Sequence, residues 1–251
     1  MSEPPVPGRR VQDAHGDAWQ ALGRIHAAHG GGTAELPGIR LMGSGLPHPQ
    51  WNNGDVDDPA AVDIAAVRQW YVDLGVPWGV RVRAGDRWPH GRLLFGKRLM
   101  AVTPARAVAA EPPAGVSVSA AGEAQLDGVL VVDSVAFGSS AEAERPWLAP
   151  LLGRPDAVVA AAHFGDRIVG SGYAVVADGL AGRSVYVAGI GVLPEARRRG
   201  IGAAVSSWLI DWGLGLGAEL AHLHPDTDAA ASVYRRLGFT EVEGFDVYVD
   251  N

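Results

Sequence analysis

Residues 185–204 read VYVAGIGVLPEARRRGIGAA, and the reading of this stretch decides the fold. Val185 to Val192 is apolar, β-branched and broken by Gly, which is the composition of a buried strand. Pro194 stops that strand, because it has no N–H to give a ladder. Arg197, Arg198, Arg199, Gly200, Ile201 and Gly202 follow. Beyond them Ile201, Ala204, Val205, Trp208, Leu209 and Trp212 recur at helical spacing. The first N–H groups of such a helix have no intrahelical acceptor, and the helix dipole adds partial positive charge there. Gly200 and Gly202 have no Cβ to keep a phosphate from the backbone. The stretch therefore predicts strand, anion cradle, helix.

The spacing is neither that of a P-loop nor G-x-G-x-x-G. It is Val192-x-Pro194 followed by Arg197-x-x-Gly200-x-Gly202. On these residues the chain resembles the GNAT superfamily of N-acetyltransferases, whose acetyl-CoA loop is written [RQ]-x-x-G-x-[GA]. A later motif carries the same resemblance. The family ends with N-x-x-A-x-x-L-Y-x-x-x-G-F, and this chain has Thr227-x-x-Ala230-x-x-Val233-Tyr234-x-x-x-Gly238-Phe239. Thr227 stands where Asn is usual, and its hydroxyl can also cap or bond.

The resemblance covers Val116 to Asn251. It implies acetyl-CoA as cosubstrate, with no metal. The amides of Arg197, Arg198, Arg199, Gly200, Ile201, Gly202 and Ala203 would hold the CoA pyrophosphate. The backbone of Ile190, Gly191 and Val192 would pair with the pantetheine arm. Thr227 and Tyr234 complete the expected cofactor site. Two residues are expected to be catalytic: Val192, whose N–H would hold the oxyanion, and Tyr234, as general acid.

At 251 residues the chain is one large or two small domains, and 47% hydrophobic content is ample for a core. A net charge of −7 argues against nucleic acid as main partner and suits a cationic acceptor such as a small-molecule amine. There is no Cys, so disulfides, a thiol nucleophile and a thiolate metal site are excluded. His26, His29, His48 and His90 are scattered and suggest no metal constellation. No apolar run reaches membrane-spanning length, and Met1 to Arg10 has no signal-peptide core. The expectation is a cytoplasmic protein without membrane contact, monomer or homodimer.

Along the chain, Met1 to Val11 reads as a loose tail and His15 to His29 as a short helix. Gly38 to Met42 is a predicted strand, and Leu46 to Gly54 a turn-rich loop with Trp51. Asp58-Pro59 is expected to open a helix closed by Gly75. Val76 to Val82 and Leu99 to Thr103 are predicted strands, with Leu93-Leu94 a short helix between. The Ala- and Pro-rich segment Ala105 to Ala114 suggests a boundary. From Val116 the predicted order is β-α-α-β-β-β-α-β-α-β, which is that of a complete GNAT domain. The hairpin between Ala157–Phe164 and Ile168–Ala177 turns at Gly165-Asp166-Arg167.

The expected fold is α+β: a GNAT fold with a central mixed, mostly antiparallel sheet flanked by helices, at residues 115–251. Residues 1–110 precede it as a smaller α/β domain. This domain lacks the phosphate loop and looks like the degenerate GNAT half of some two-domain members, which would wall the acceptor pocket or pack as a pseudo-dimer.

The base is the open question. Some family members use a Glu six residues before the oxyanion Val, where this chain has Tyr186. His222 and His224 are substitutes in the right region or structural histidines, and a water chain or an acceptor with little need of a base is equally open. Asp133 and Glu142 fall near the loop that lines the acceptor side in the family, as ammonium ligands or as solvated charge. Two rival functions follow from the missing Glu and from the fold's range: a non-catalytic acyl-CoA-binding or regulatory module, and an enzyme of O-acylation or decarboxylation.

Overall fold

The computed structural model describes residues 6–250. The chain opens on α1 (Gly8–His26), longer at its start than the predicted helix. Three of its polar residues, Gln12, Asp17 and Gln20, are buried and paired. Gln12 donates to Gly244 O at 2.9 Å, Gln20 to Leu41 O at 3.0 Å, and Asp17 accepts from Arg40 and from Ala181 N. Such partners are remote in sequence, so the helix pattern alone could not reveal them. Residues 1–5 of the expected tail lie outside the described residues.

The first half continues with β1 (Gly32–Leu36), β2 (Ile39–Gly43), β3 (Asn53–Val56), α2 (Ile64–Leu74), β4 (Gly79–Arg83) and β5 (Arg92–Val102). The N-cap of α2 is Asp63, not Asp58. Its carboxylate accepts from Ala65 N at 2.9 Å, while 59–61 form turns. Gly75 closes α2 at φ +70° as expected. The predicted Leu93-Leu94 helix is strand instead. Leu93 pairs with Tyr248 and Phe95 with Val247, so a distant strand outweighs local propensity.

The second half follows the predicted order: β6 (Val116–Ala120), α3 (Glu123–Phe137), α4 (Ala141–Leu148), β7 (Ala157–Phe164), β8 (Arg167–Gly179), β9 (Gly182–Val192), α5 (Ile201–Gly215), β10 (Leu220–Leu223), α6 (Asp228–Arg236) and β11 (Thr240–Val249). The eleven strands form one mixed sheet in the order β1-β2-β3-β4-β11-β5-β10-β9-β8-β7-β6. Among the described residues, only β3–β4 and β9–β10 pair in parallel.

One strand of the first half, β5, lies between β10 and β11 of the second. The sheet therefore runs across the irregular segment after Val102. That segment is tied down by Val108 N to Leu237 O at 3.1 Å and Ala110 N to Ser207 Oγ at 3.0 Å. Helices α5 and α6 cover one face through Val205, Leu209, Ala231 and Tyr234. The other face carries α1, α3 and α4 through Trp19, Leu22, Leu126, Leu130 and Trp147.

Candidate active site

Strands β9 and β10 are paired only at Ser184–Leu220, Val185–Ala221 and Tyr186–His222. Beyond Tyr186 they splay, and β9 runs on to Val192 beside a gap. A bulge at Gly189, φ +62°, shifts the β8–β9 register between Ser171 and Tyr173. Gly191 is then opposite Ser171, and Leu193 N donates to Val169 O at 3.0 Å. Antiparallel ladders alternate, so the N–H and C=O of Val192 face away from β8 and into the gap. The carbonyl is met there by Arg197 Nε at 3.0 Å.

The turn into α5 is open. Arg198 has φ +61° and Gly200 φ +88°, and no side chain caps the helix. Among the described residues no acceptor takes the N–H groups of Arg198 through Ala203. A Cβ built on Gly200 meets nothing within 4 Å, so the space beside this backbone is free. The three arginines are exposed, and the Arg199 guanidinium lies 5.0 Å over the Phe164 ring. Unpaired amides, a helix N-terminus and three guanidiniums fit a pyrophosphate.

Across the gap, Thr227 Oγ1 accepts from Ala230 N at 3.1 Å and caps α6. The hydroxyl keeps its own proton to donate. Tyr234 follows on α6, only 8% exposed beside Phe239. Burial pushes its phenol up to about 12, so it holds its proton at neutral pH.

On the opposite face the same strand meets polar and aromatic side chains from both halves. A Cβ on Gly191 would lie 3.3 Å from Ser171 Oγ, which donates to Asp133 Oδ1 at 2.9 Å. Asp133 is 5% exposed, and burial raises its carboxyl to about 7 against the pull of the Ser171 bond. The Tyr173 ring lies where a Cβ on Gly189 would stand. Trp147 of α4 stacks on His26 at 4.8 Å and on Trp51 at 5.0 Å. Glu142 is exposed, and the α4 carboxylate that bears on Asp133 is Glu144.

Deeper along the gap, Tyr186 stacks on His222 at 5.2 Å. Burial holds His222 at about 3 and His224 at about 4. His224 Nδ1 is 3.4 Å from Asp226 Oδ1. Lys97, the only lysine of the chain, is lowered to about 7 by burial and then by Arg81.

The sequence pointed to the loop, to β9 and to Tyr234; the loop follows the free end of β9, and Tyr234 stands on α6, which follows β10. It did not point to Ser171, Tyr173 or Trp147, which carry no motif. The Gly189-Ile190-Gly191 triplet inside an apolar strand was the available signal of the bulge. Among the described residues no group of three His, Asp or Glu side chains is placed to hold a metal, and no helix is long and apolar enough to cross a membrane.

Residues 130–239 match the model of the acetyltransferase (GNAT) family. Mycothiol acetyltransferase of Pseudarthrobacter chlorophenolicus is 30% identical over 206 residues, covering 76% of this chain and 56% of that protein. The chain thus spans little more than half the length of this relative. A GCN5-related N-acetyltransferase from Kribbella flavida has a TM-score of 0.72 at 20% identity, over 95% of both chains. A GNAT-family putative acetyltransferase from Novosphingobium aromaticivorans has a TM-score of 0.59 at 13% identity, over 94% of this chain and 98% of its own. These two likenesses speak for the fold, and they extend over both halves. With two motifs, the splayed strands and the family model in agreement, the chain carries a domain of the GNAT acetyltransferase family.

Proposed function

We propose that the protein transfers an acetyl group from acetyl-CoA to the amine of a small molecule. The observation that carries this reading is the row of unpaired amides from Arg198 to Ala203, at the mouth of a gap between two splayed strands. Bound acetyl-CoA supplies a thioester carbonyl carbon for an amine to attack. Arg197, Arg198, Arg199, Gly200, Ile201, Gly202 and Ala203 would hold its pyrophosphate, and Ile190, Gly191 and Val192 its pantetheine arm. The Val192 N–H faces the gap and supports an oxyanion role. Tyr234 keeps its proton at neutral pH and is suited to protonate a leaving thiolate.

The first half supplies His15, Trp19, His26 and Trp51 to the face opposite α5, which supports its reading as acceptor wall rather than second cofactor site. The 1–110 and 115–251 division is kept as two units that share a sheet. Cytoplasmic location and a non-nucleic-acid substrate belong to the same reading.

The test is CoA release and product mass across a panel of amines, including compounds related to mycothiol, beside a calorimetric titration with acetyl-CoA. The expected results are an N-acetylated product and one cofactor site per chain. Binding without turnover for every amine would leave a binding module. Two sites per chain would overturn the assignment of the first half.

A further inference from the structure

Resting on that reading, we propose that Lys97 and the indole of Trp19 form an anion subsite for the acceptor, so that the amine accepted here also carries a carboxylate or a phosphate. The strands bring Lys97 to the open end of the gap. β10 pairs with β5 only from Ala221–Val102 to Leu223–Met100. Beyond that rung β10 ends, and β5 runs on to Leu99 and Lys97 at the end where β9 splays away. Side chains alternate along a strand, so Lys97 shares a face with Leu99 and Ala101, which pack on Val11 and Ala14 of α1. That is the face opposite α5.

α1 crosses the sheet over this end. His15 lies 5.1 Å from Tyr186 and 5.8 Å from His222, over the last paired rung of β9 and β10. Trp19 follows one turn later, past that rung. Its ring has Lys97 Nζ at 5.7 Å and the Arg81 guanidinium at 4.3 Å on the β5 side. On the other side are Trp147 at 6.0 Å and, 6.3 Å beyond it, Tyr173 of β8. In the order β4-β11-β5-β10-β9-β8 these neighbours flank the gap, so the indole spans it. An indole face attracts cations, and this one holds the ammonium at the rim of the gap. The rim is reached from the free end of β10. Lys97 is half-buried, and the nearby His224 and Asp226 side chains are 25% and 71% exposed.

Charge is where Lys97 differs from its neighbours. Arg81 is bound twice by Asp55 at 2.7 Å, and Arg40 is paired with Asp17. On the other face Arg98 is paired with Glu241 and Asp228. Asp226 is engaged by His224. Among the described residues the Lys97 ammonium has no hydrogen bond and no ion pair. Burial and then Arg81 lower it to about 7, as befits a cation short of a counter-ion. Burial keeps His15 and His224 neutral there, and the His224 bond keeps Asp226 charged. Lys97 is therefore the group beside Trp19 that changes charge near neutral pH. An anion on the acceptor supplies the missing partner and fixes the acceptor at a point away from its amine, which is left to reach the thioester in the gap.

The experiment has two arms. Protein carrying 13C at lysine Cε gives one signal, because Lys97 is the only lysine. With CoA saturating the phosphate loop, acetate or inorganic phosphate should shift that signal and move its titration midpoint to higher pH, and ethylammonium should not. The second arm compares kcat/KM within matched acceptors: β-alanine and γ-aminobutyrate against their amides, and phosphoethanolamine against ethanolamine. Wild type should prefer the anionic member of at least one pair by about 10-fold or more at pH 6.5, and the preference should fade as pH rises and the ammonium is lost. The pair that shows it tells carboxylate from phosphate. Lys97→Met should bring that ratio close to one, and Lys97→Arg should keep it at high pH. A signal that no anion moves, a wild-type ratio near one in every pair, or a ratio that survives Lys97→Met would each overturn the subsite and leave acetyl transfer standing. If no amine releases CoA, transfer itself fails, and the anion titration still decides whether Lys97 takes an anion.

Discussion

The two faces of β9 are built on opposite plans. Toward α5 the site is backbone: unpaired amides, two residues at positive φ and exposed guanidiniums, all within Val192 to Ala203. Toward α1, α3 and α4 it is side chains drawn from His15 to His224, buried and largely uncharged. A backbone cradle binds one invariant group, a phosphate, and needs only a short contiguous run. A side-chain pocket must be shaped to its acceptor, and it can be assembled from anywhere in the chain. The first plan predicts total loss on a single backbone change. The second predicts graded loss and sensitivity to pH.

Gly200→Val tests the first plan at full strength. The residue sits at φ +88°, which a β-branched side chain avoids, and Val would fill the open space beside the amides. Acetyl-CoA affinity should fall below detection by calorimetry while the circular dichroism spectrum is unchanged. Retained affinity with the fold intact would remove this loop as cofactor site. Tyr234→Phe comes next. It should leave acetyl-CoA affinity nearly as it is and lower turnover about 10- to 1000-fold, as loss of a general acid does. Wild-type turnover would reduce Tyr234 to a core aromatic of the α5–α6 face.

The difference between the faces also explains what the sequence disclosed. The loop, Pro194, the α5 stripe and Tyr234 were legible because each is a local pattern whose physics is complete within a dozen residues. Asp133 was visible only as a carboxylate near the acceptor side, because its burial and its Ser171 partner, 38 positions away, appear only after β8 and α3 pack. The start of α1 was hidden for the same reason: Gln12 and Asp17 look solvated until Gly244, Arg40 and Ala181 are brought to them. Leu93-Leu94 shows the converse, a local pattern overruled by β11.

Acid should separate the faces. His15, His26 and His222 are fully buried, and burial lowers the pKa of each, His26 to about 4 and His222 to about 3. In the unfolded chain an imidazole protonates near 6.5, so below that pH the unfolded state binds more protons and stability falls as pH falls. At pH 5 the loss is about 2 kcal/mol for each such imidazole. Asp133 works the other way: with its carboxyl raised, it is stabilised by protonation below about 7, which offsets part of the loss. The three imidazoles outweigh Asp133 and the lesser upward shifts of the partly buried Asp13 and Asp211, which leaves a lower melting temperature at pH 5 than at pH 7.5. The proposed cradle is largely backbone amide, so acetyl-CoA should still stabilise whatever remains folded. A melting temperature that is level across this range would mean that these imidazoles meet water or a counter-ion.

The smallest effect concerns Thr227, which the family resemblance would put in the cofactor site and which caps α6. Its Oγ1 accepts from Ala230 N, one of the orphan donors of the helix N-terminus. Thr227→Ala frees that donor, and loss of such a cap costs about 1 kcal/mol. The helix carries Tyr234 two turns further on, so some loss of turnover would follow from fraying alone. The two roles part in the cosubstrate measurement. If the hydroxyl is only a cap, melting drops by a few degrees and acetyl-CoA affinity holds, and Thr227→Asp, which also caps, restores the stability. If the hydroxyl also donates to acetyl-CoA, affinity falls in both variants, because a carboxylate has no proton to give and adds negative charge facing the phosphates. Stability restored in Thr227→Asp, with affinity already lost in Thr227→Ala, would therefore place Thr227 among the cofactor-binding residues, and affinity held in Thr227→Ala would confine it to the cap.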